Sequence, residues 1–524
     1  MPDTFDWLEA LPLTVNGKID PSRLPAPRAE TNPDGRAPEG EMETRIASAF
    51  GHVLNIEQVA ATDDFFALGG HSLLATRFCA VAKEKFGLDI GVLDLFNAST
   101  VEALANRLQT RDDSDSGSDE EALLLKRDIK LDDAIHPSAT ARAECGTAHV
   151  FLTGATGFLG TYLLHELLRD PARKVTCLVR GDDGMNRLRQ AFRQYDLPQS
   201  VLTERVTTLS GELSKPNLGL AAADYDHIVR NADCIFHNGA EVHHLHRYER
   251  LRETNVLGTQ EVLKLACAGA GRHVHYISTL SALTPRRGSG SDARPVCELE
   301  SVEGFAPPAG GYNRSKWVAE HLVNEAGKRG LPVTIYRPGA ISGDSVTGAF
   351  NGSDILCRLV QAYLYTGTAP EGERLLDMLP VDHVARAIVH LSGKPASAGQ
   401  VFHLIHSSPV SSARLFEACE MEGIELERVS QREWQDMLGD VARGTPDHPL
   451  YPLLGLLRSP SAAGKSDEKQ TRNFDFHITQ AAMSDAPFRE PALTFELLRT
   501  YLRAFAKANF LNATSDDARK QGER

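Results

Sequence analysis

HVFLTGATGFLGTYLLHELLR, residues 149–169, is the stretch that decides how most of this chain folds. HVFLT is apolar enough for a buried strand, and TYLLHELLR carries apolar residues at helical spacing. Between them stand Gly154, Gly157 and Gly160. The first glycine permits a tight turn, the second lets backbone approach a pyrophosphate, and the third lets the helix pack on the strand. The helix N-terminus adds a favourable dipole for an anion. This pattern predicts the opening of a dinucleotide-binding unit, with Thr156, Phe158 and Leu159 sharing the turn as candidate cofactor contacts.

Downstream the alternation continues. KVTCLVR (174–180), RVTTLSG (205–211), CIFHNGA (234–240), HVHYIST (273–279) and PVTIYRPG (332–339) read as short buried strands. TNVLGTQEVLKLACAGA (254–270) and SKWVAEHLVNEAG (315–327) read as helices between them. Strands buried on both faces and separated by helices imply a parallel sheet with right-handed crossovers. The fold class is therefore α/β, a doubly wound parallel sheet expected over about 146–345. A smaller, mainly helical substrate lobe is expected over about 346–511, where the alternation becomes irregular.

The second strand ends in Arg180, about twenty residues past the glycines, where an acidic residue would mark a free ribose 2′-hydroxyl. A guanidinium pairs instead with a 2′-phosphate, so the expected cofactor is NADPH. Arg187 and Arg189 on the following helix are further candidates for that phosphate, each with an ordinary solvated role as its simpler reading.

Ser278 and Thr279 end a later strand, and GGYNRSKWVAE (310–320) places Tyr312 four residues before Lys316. That spacing puts both side chains on one helix face. An ammonium beside a phenol lowers the phenol's pKa and lets it donate to a developing alkoxide near neutral pH. A strand-end hydroxyl can hold the same oxygen as a second donor.

Ahead of the sheet, ETRIASAFGHVL (43–54), HSLLATRFCAVAKEKF (71–86) and TVEALANRL (100–108) show helical spacing. They predict a small all-α bundle over 38–110. RDDSDSGSDEE follows, and 111–125 is expected as an acidic linker, because so few apolar residues cannot repay ordering entropy. In DDFFALGGHSLLATR (63–77), Ser72 follows two glycines at a helix start, as an N-cap or as a modifiable hydroxyl. Residues 512–524 read as a tail.

A net charge of −14, without dense Lys/Arg clusters, argues against nucleic acid as a partner. No apolar run reaches the ~18–20 residues of a membrane span, and the N-terminus lacks a signal-peptide core, so a cytoplasmic location is expected. The eight cysteines show no CxxC spacing, which speaks for reduced packing residues. His237, His243, His244 and His246 cluster without a metal-type pattern, so no metal is expected.

DDFFALGGHSLLATR closely resembles the core motif of peptidyl and acyl carrier domains. The resemblance implies a 4'-phosphopantetheine arm on Ser72, placed there by a phosphopantetheinyl transferase. LPLTVNGKIDPSRLP (11–25) resembles the last segment of adenylation domains, with Lys18 at that family's adenylation lysine; residues 1–27 are expected as a remnant without an ATP site of its own. The set GATGFLG, CLVRG, NVLGTQEVLKLA, ISTLS, GYNRSKWVAE, YRPGAISGDSVTGAFN and LPVDHVARAIVHLS resembles extended short-chain dehydrogenases/reductases. Within that family it is similar to the terminal thioester reductase domains of peptide synthetases and carboxylic acid reductases, over 126–511.

That resemblance implies a triad of Thr279, Tyr312 and Lys316, with Asn255, Lys316, Pro338 and Gly339 also at the cofactor and Arg337 on the loop beside the nicotinamide. Glu212 stands where that family usually has Asp near the adenine. The implied substrate is a carrier-bound acyl or peptidyl thioester delivered by upstream synthetase domains, released as an aldehyde or carried on to the alcohol. Rival readings are a carboxylic acid reductase-type carrier–reductase portion, a redox-silent condensing release, a sugar-nucleotide epimerase or dehydrogenase and a pure carrier and docking protein; an intact Tyr312, Lys316 and Arg180 speak against condensation, and the carrier motif against a sugar enzyme.

Overall fold

The computed structural model describes residues 35–508 except 57, 71, 89, 92–93, 96–97, 110–115, 138–147, 244–245, 284–294, 353–354, 373–374 and 445–473. Lys18, the 1–27 segment, His244 and the 512–524 tail lie outside the described residues. Two compact units divide the chain, with a boundary between Asp115 and Ser116.

In the first unit, α1 (Gly40–Leu54), α2 (Ser72–Phe86) and α3 (Val101–Gln109) surround one apolar core. Phe50 sits 5.0 Å, centroid to centroid, from both Phe65 and Phe78, edge on in each case, an arrangement aromatic rings prefer. The Gly70 N–H closes the turn before α2 by donating to the Phe65 C=O at 2.8 Å.

The second unit is built on seven strands: β1 (His149–Thr153), β2 (Lys174–Val179), β3 (Val206–Ser210), β4 (Cys234–His237), β5 (His273–Ile277), β6 (Val333–Pro338) and β7 (Val401–Leu404). All neighbours pair in parallel, in the order β7-β6-β5-β4-β1-β2-β3. Side chains alternate across the sheet with period two. Phe151, Tyr276 and Ile335 therefore enter one core, while Val150, Leu152, Ile277 and Tyr336 enter the other. The first core is covered by Trp317, Val318 and Leu322 of one helix and Val262 and Leu265 of another. The second is covered by Leu163, Leu188, Val384 and Ile388 from three further helices. This is the expected doubly wound sheet.

Two boundaries need correction. The stretch expected as a linker over 111–125 contains a helix, α4 (Ser116–Asp128). Leu125 is buried in the first core and Leu124 packs against it. The Asp128 carboxylate accepts from the Tyr248 hydroxyl at 2.7 Å and from Arg252 Nη2 at 2.8 Å, and Glu121 pairs with Arg314 at 2.7 Å. Leu124 and Leu125 thus seat this helix on the core, with Glu121 and Asp128 paired at its edges, while Leu123 faces solvent. The second correction concerns the lobe. Val381–Ser392 and β7 both fall inside 346–511, yet they form a covering helix and an edge strand of the main sheet. Other described parts of the lobe gather around a separate core, in which Leu415, Cys419, Leu498 and Phe505 take part. Among the described residues no helix is long and apolar enough to cross a membrane.

Candidate active site

The glycine turn joins β1 to the helix α5 (Phe158–Leu167). Gly154 has φ +74°, a conformation that side chains resist, and a Cβ there would lie 2.7 Å from the Gly239 backbone. A Cβ at Gly160 would lie 1.9 Å from the Gly154 carbonyl oxygen, so this glycine lets the helix seat against the turn. At Gly157 the same test meets only the Gly154 carbonyl, at 3.4 Å. The turn is thus closed behind Gly160 and open in front of Gly157, which caps α5 without any side-chain bond.

That opening belongs to a cleft of about 1280 Å³ that runs along the C-terminal ends of the strands. Gly154, Thr156, Gly157, Phe158, Leu159, Arg180, Arg187, Thr279, Tyr312, Lys316, Pro338 and Gly339 all line it, twelve residues expected at the site. Gly160 and Asn255 do not line it, and Ser72 belongs to the other unit. Ser72 is the first residue of α2, while its side chain lies outside what the structure describes.

At the β2 end, Arg187 Nη1 donates to the Arg180 C=O at 2.5 Å, so two guanidinium groups share one rim. Arg189 is absent from the lining and bonds Asn186 Oδ1 at 3.2 Å instead. Glu212 lines the cleft beyond β3, together with Leu213.

The three residues of the expected triad all line the cleft beyond β5. Tyr312 and Lys316 come from successive turns of the helix α6 (Gly311–Lys328). Lys316 is buried, its Nζ donates to the Ile277 C=O at 2.6 Å, and it lies 4.3 Å above the Tyr276 ring. Burial brings its ammonium down to about 7, against an opposing pull from Glu320. The Thr279 hydroxyl oxygen accepts the Ser281 N–H at 3.2 Å, which leaves its proton to be donated elsewhere.

Several supporting residues were not read from the sequence. Glu320, one turn beyond Lys316, accepts from Arg337 Nε at 3.0 Å and from Ser278 Oγ at 2.5 Å. Arg337 therefore does not stand on the loop beside the nicotinamide: it is fully buried in β6, drawn inward by Glu320. Asn255, expected at the cofactor, is likewise one layer back. It sits in a π turn (Glu253–Leu257), with its amide bonded to both backbone groups of Glu241 and to the Ser315 hydroxyl. Ser315 in turn donates to the Tyr312 C=O at 2.7 Å, so Asn255 positions the tyrosine's helix.

His237 is a locked core residue. Thr153 and Thr259 bond its two ring nitrogens at 2.8 and 3.0 Å, and burial with the nearby Lys316 lowers it to about 3. His243 and His246 stack at 3.5 Å. Among the described residues no group of His, Cys, Asp or Glu is arranged to hold a metal ion.

A nicotinamide dinucleotide fits these residues. The bare glycine turn and the N-terminus of α5 offer backbone N–H groups to a pyrophosphate, and the deeper cleft wall brings Tyr312, Lys316 and Thr279 together.

Comparison with known proteins points the same way. The family described as "Male sterility protein", an NAD-binding family, matches residues 152–388, and the family described as "Phosphopantetheine attachment site" matches 44–108. A linear gramicidin synthase from Brevibacillus parabrevis is 34% identical over 98% of the chain. The L-2-aminoadipate reductase of Penicillium chrysogenum is 30% identical, in its large subunit, over 98% of the chain. The chain spans only 10% and 40% of the lengths of these two relatives. Among solved structures, a thiolation-reductase di-domain from an archaeal non-ribosomal peptide synthetase shares the fold, with TM-score 0.69 at 23% identity, over 91% of this chain and all of that one. The terminal R domain of the myxalamid PKS-NRPS pathway has TM-score 0.68 at 36% identity, over 75% of this chain and 99% of that one. The chain therefore belongs to the terminal reductase domains of non-ribosomal peptide synthetases, here preceded by a phosphopantetheine-attachment domain.

Proposed function

We propose that this protein releases a carrier-bound acyl or peptidyl thioester by NADPH-dependent reduction, as an aldehyde or, after a second turnover, as the alcohol. The observation that carries this reading is the single cleft that holds Arg180 and Arg187 at one end and Thr279, Tyr312 and Lys316 at the other. The carrier is residues 38–110, with the pantetheine arm on Ser72. The reductase is 126–511, extended back to Ser116 by α4. Residues 1–27 are an adenylation-domain remnant and 512–524 a tail. Upstream synthetase domains supply the cargo, and a phosphopantetheinyl transferase supplies the arm. The setting is cytoplasmic, which agrees with seven cysteines among the described residues that form no disulfide.

When bound, the reduced dinucleotide supplies hydride to the thioester carbonyl carbon. Tyr312 gives its phenolic proton to the carbonyl oxygen, and the Thr279 hydroxyl donates a hydrogen bond to that same oxygen. Lys316 spends one ammonium proton on the Ile277 carbonyl, leaving two for the Tyr312 phenol and a ribose hydroxyl. The hemithioacetal that results breaks its carbon–sulfur bond and the pantetheine thiol leaves. Arg180 and Arg187 hold the 2′-phosphate that separates NADPH from NADH.

The test is to prime Ser72 with a defined acyl-pantetheine, add NADPH, and follow both the absorbance of the dinucleotide and the product. Stoichiometric NADPH oxidation with aldehyde or alcohol release is expected; cargo release without oxidation would remove the proposal.

A further inference from the structure

The sheet order gives the cleft a direction. Arg180 and Glu212 lie beyond β2 and β3 at one edge, Thr279 beyond β5, and Gly339, Ile341 and Ile405 beyond β6 and β7 towards the other edge. A dinucleotide held between the Arg180 rim and Lys316 would occupy the first half. A thioester whose carbonyl lies at Tyr312 and Thr279 must then send its acyl chain towards the β6–β7 side. Leu280, Ile341, Leu375, Ile405 and Phe474 line the cleft there, with Asn351 and Asp377 as the polar members of the wall. Asp377 is partly occupied, as its Oδ1 accepts the His406 N–H at 2.9 Å.

Phe474 reaches this wall from far along the chain, and its hold is firm. It bridges Val296 in parallel, and the next N–H, of Asp475, donates to the Val296 C=O at 2.9 Å. The Glu298 carboxylate, 3% exposed, accepts the Ile478 N–H at 2.6 Å, the Thr479 N–H at 2.9 Å and the Thr479 hydroxyl. The same carboxylate accepts the His403 N–H at 3.1 Å. The His403 ring stands edge-on to Phe474 at 5.9 Å, donates from Nδ1 to the Asp475 C=O at 2.6 Å, and accepts Arg337 Nη1 at 3.1 Å. Arg337 leads on to Glu320 and Ser278, the residue before Thr279. The neighbours of Phe474 thus lead through one buried polar chain to Ser278, the residue before Thr279, and a wall so held does not yield to cargo of the wrong size.

We propose that Phe474 is a specificity-determining residue of the acyl end, restricting the reductase to thioesters whose chain next to the carbonyl is apolar and short enough to stop at its ring. This rests on the reductive reading above and adds to it the class of cargo.

The test uses the full chain, primed at Ser72 with butanoyl-, octanoyl- or succinyl-pantetheine, and follows NADPH oxidation. Butanoyl is expected to exceed succinyl, the same four-carbon chain ended in a carboxylate, by about tenfold or more, because that carboxylate meets no cation among the described residues of the wall. Phe474→Ala is expected to raise the octanoyl-to-butanoyl ratio of kcat/KM by about tenfold, and Phe474→Trp to lower it. NADPH affinity, read by fluorescence titration, should stay within about twofold in both, which also reports that they are folded. Should Phe474→Ala fail that control, Phe474→Leu takes its place. Unchanged chain-length ratios in folded variants overturn the role of Phe474, and succinyl turned over as well as butanoyl overturns the apolar class. Wild-type protein that oxidises no NADPH with any cargo sinks the reductive reading itself and this proposal with it.

Discussion

Glu320 and Arg337 meet at 2.5 Å, and neither side chain reaches solvent. Each is tied to a group that touches the cleft: Glu320 lies one turn beyond Lys316 and accepts from Ser278, and Arg337 immediately precedes Pro338. Breaking a buried pair leaves an uncompensated charge, at a cost of about 3–5 kcal/mol. Arg337→Met should therefore lower the urea-unfolding free energy by about that much. The double variant Arg337→Met with Glu320→Gln should recover part of the loss; strictly additive losses would mean that the two residues do not couple.

Tyr312→Phe removes the proposed acid without changing the helix that carries it. Turnover of a loaded thioester should fall by about 10²–10⁴-fold, while pantetheine loading on Ser72 and NADPH binding stay as in wild type. Single-turnover kinetics with separately measured cofactor affinity makes the check, and a variant that turns over normally would remove Tyr312 from the mechanism.

Arg180→Ala takes one of the two guanidinium groups that line the cleft at the β2 end. A charge-assisted bond is worth about 1.5–3 kcal/mol, so NADPH affinity should fall by about 10–100-fold, with NADH nearly unaffected. Isothermal titration with both dinucleotides reads the ratio. Equal losses for the two would place Arg180 somewhere other than at the 2′-phosphate.

In the proposed mechanism Lys316 acts as an ammonium, yet burial brings it down to about 7. Because kcat/KM reports the free enzyme, it should fall as pH rises through about 7, along a one-proton limb. Lys316→Arg stays charged throughout, so that limb should disappear at a lower overall rate. The same depression affects stability. The folded state sheds this proton before the unfolded chain does, so stability should rise with pH from about 7 towards the ordinary lysine value of about 10.4.

The parts legible from sequence are those in which one short segment fixes the placement of its own residues. Gly154, Gly157 and Gly160 sit within a single turn, and Tyr312 reaches the cleft with Lys316 from one helix, so local spacing was enough to place them. Arg337 was misplaced because its partner is remote in sequence. A signal existed nonetheless: Glu320 follows Lys316 at helical spacing on an otherwise apolar face, where a carboxylate needs a buried cation. The edge strand β7 escaped because its four residues follow a long insertion that breaks the strand–helix rhythm. The helix at Ser116–Asp128 was hidden by its acidic start, although Leu124 and Leu125 stood ready as its anchor.

That helix also bears on how such enzymes are recombined. An engineer who grafts this reductase behind a foreign carrier and cuts at Lys126 would discard Leu124, Leu125 and the carboxylate that steadies Arg314, two residues from the proposed acid Tyr312. The transplant would keep every residue that lines the cleft and still arrive with a slackened tyrosine helix. A splice placed before Ser116 carries the brace along with the chemistry.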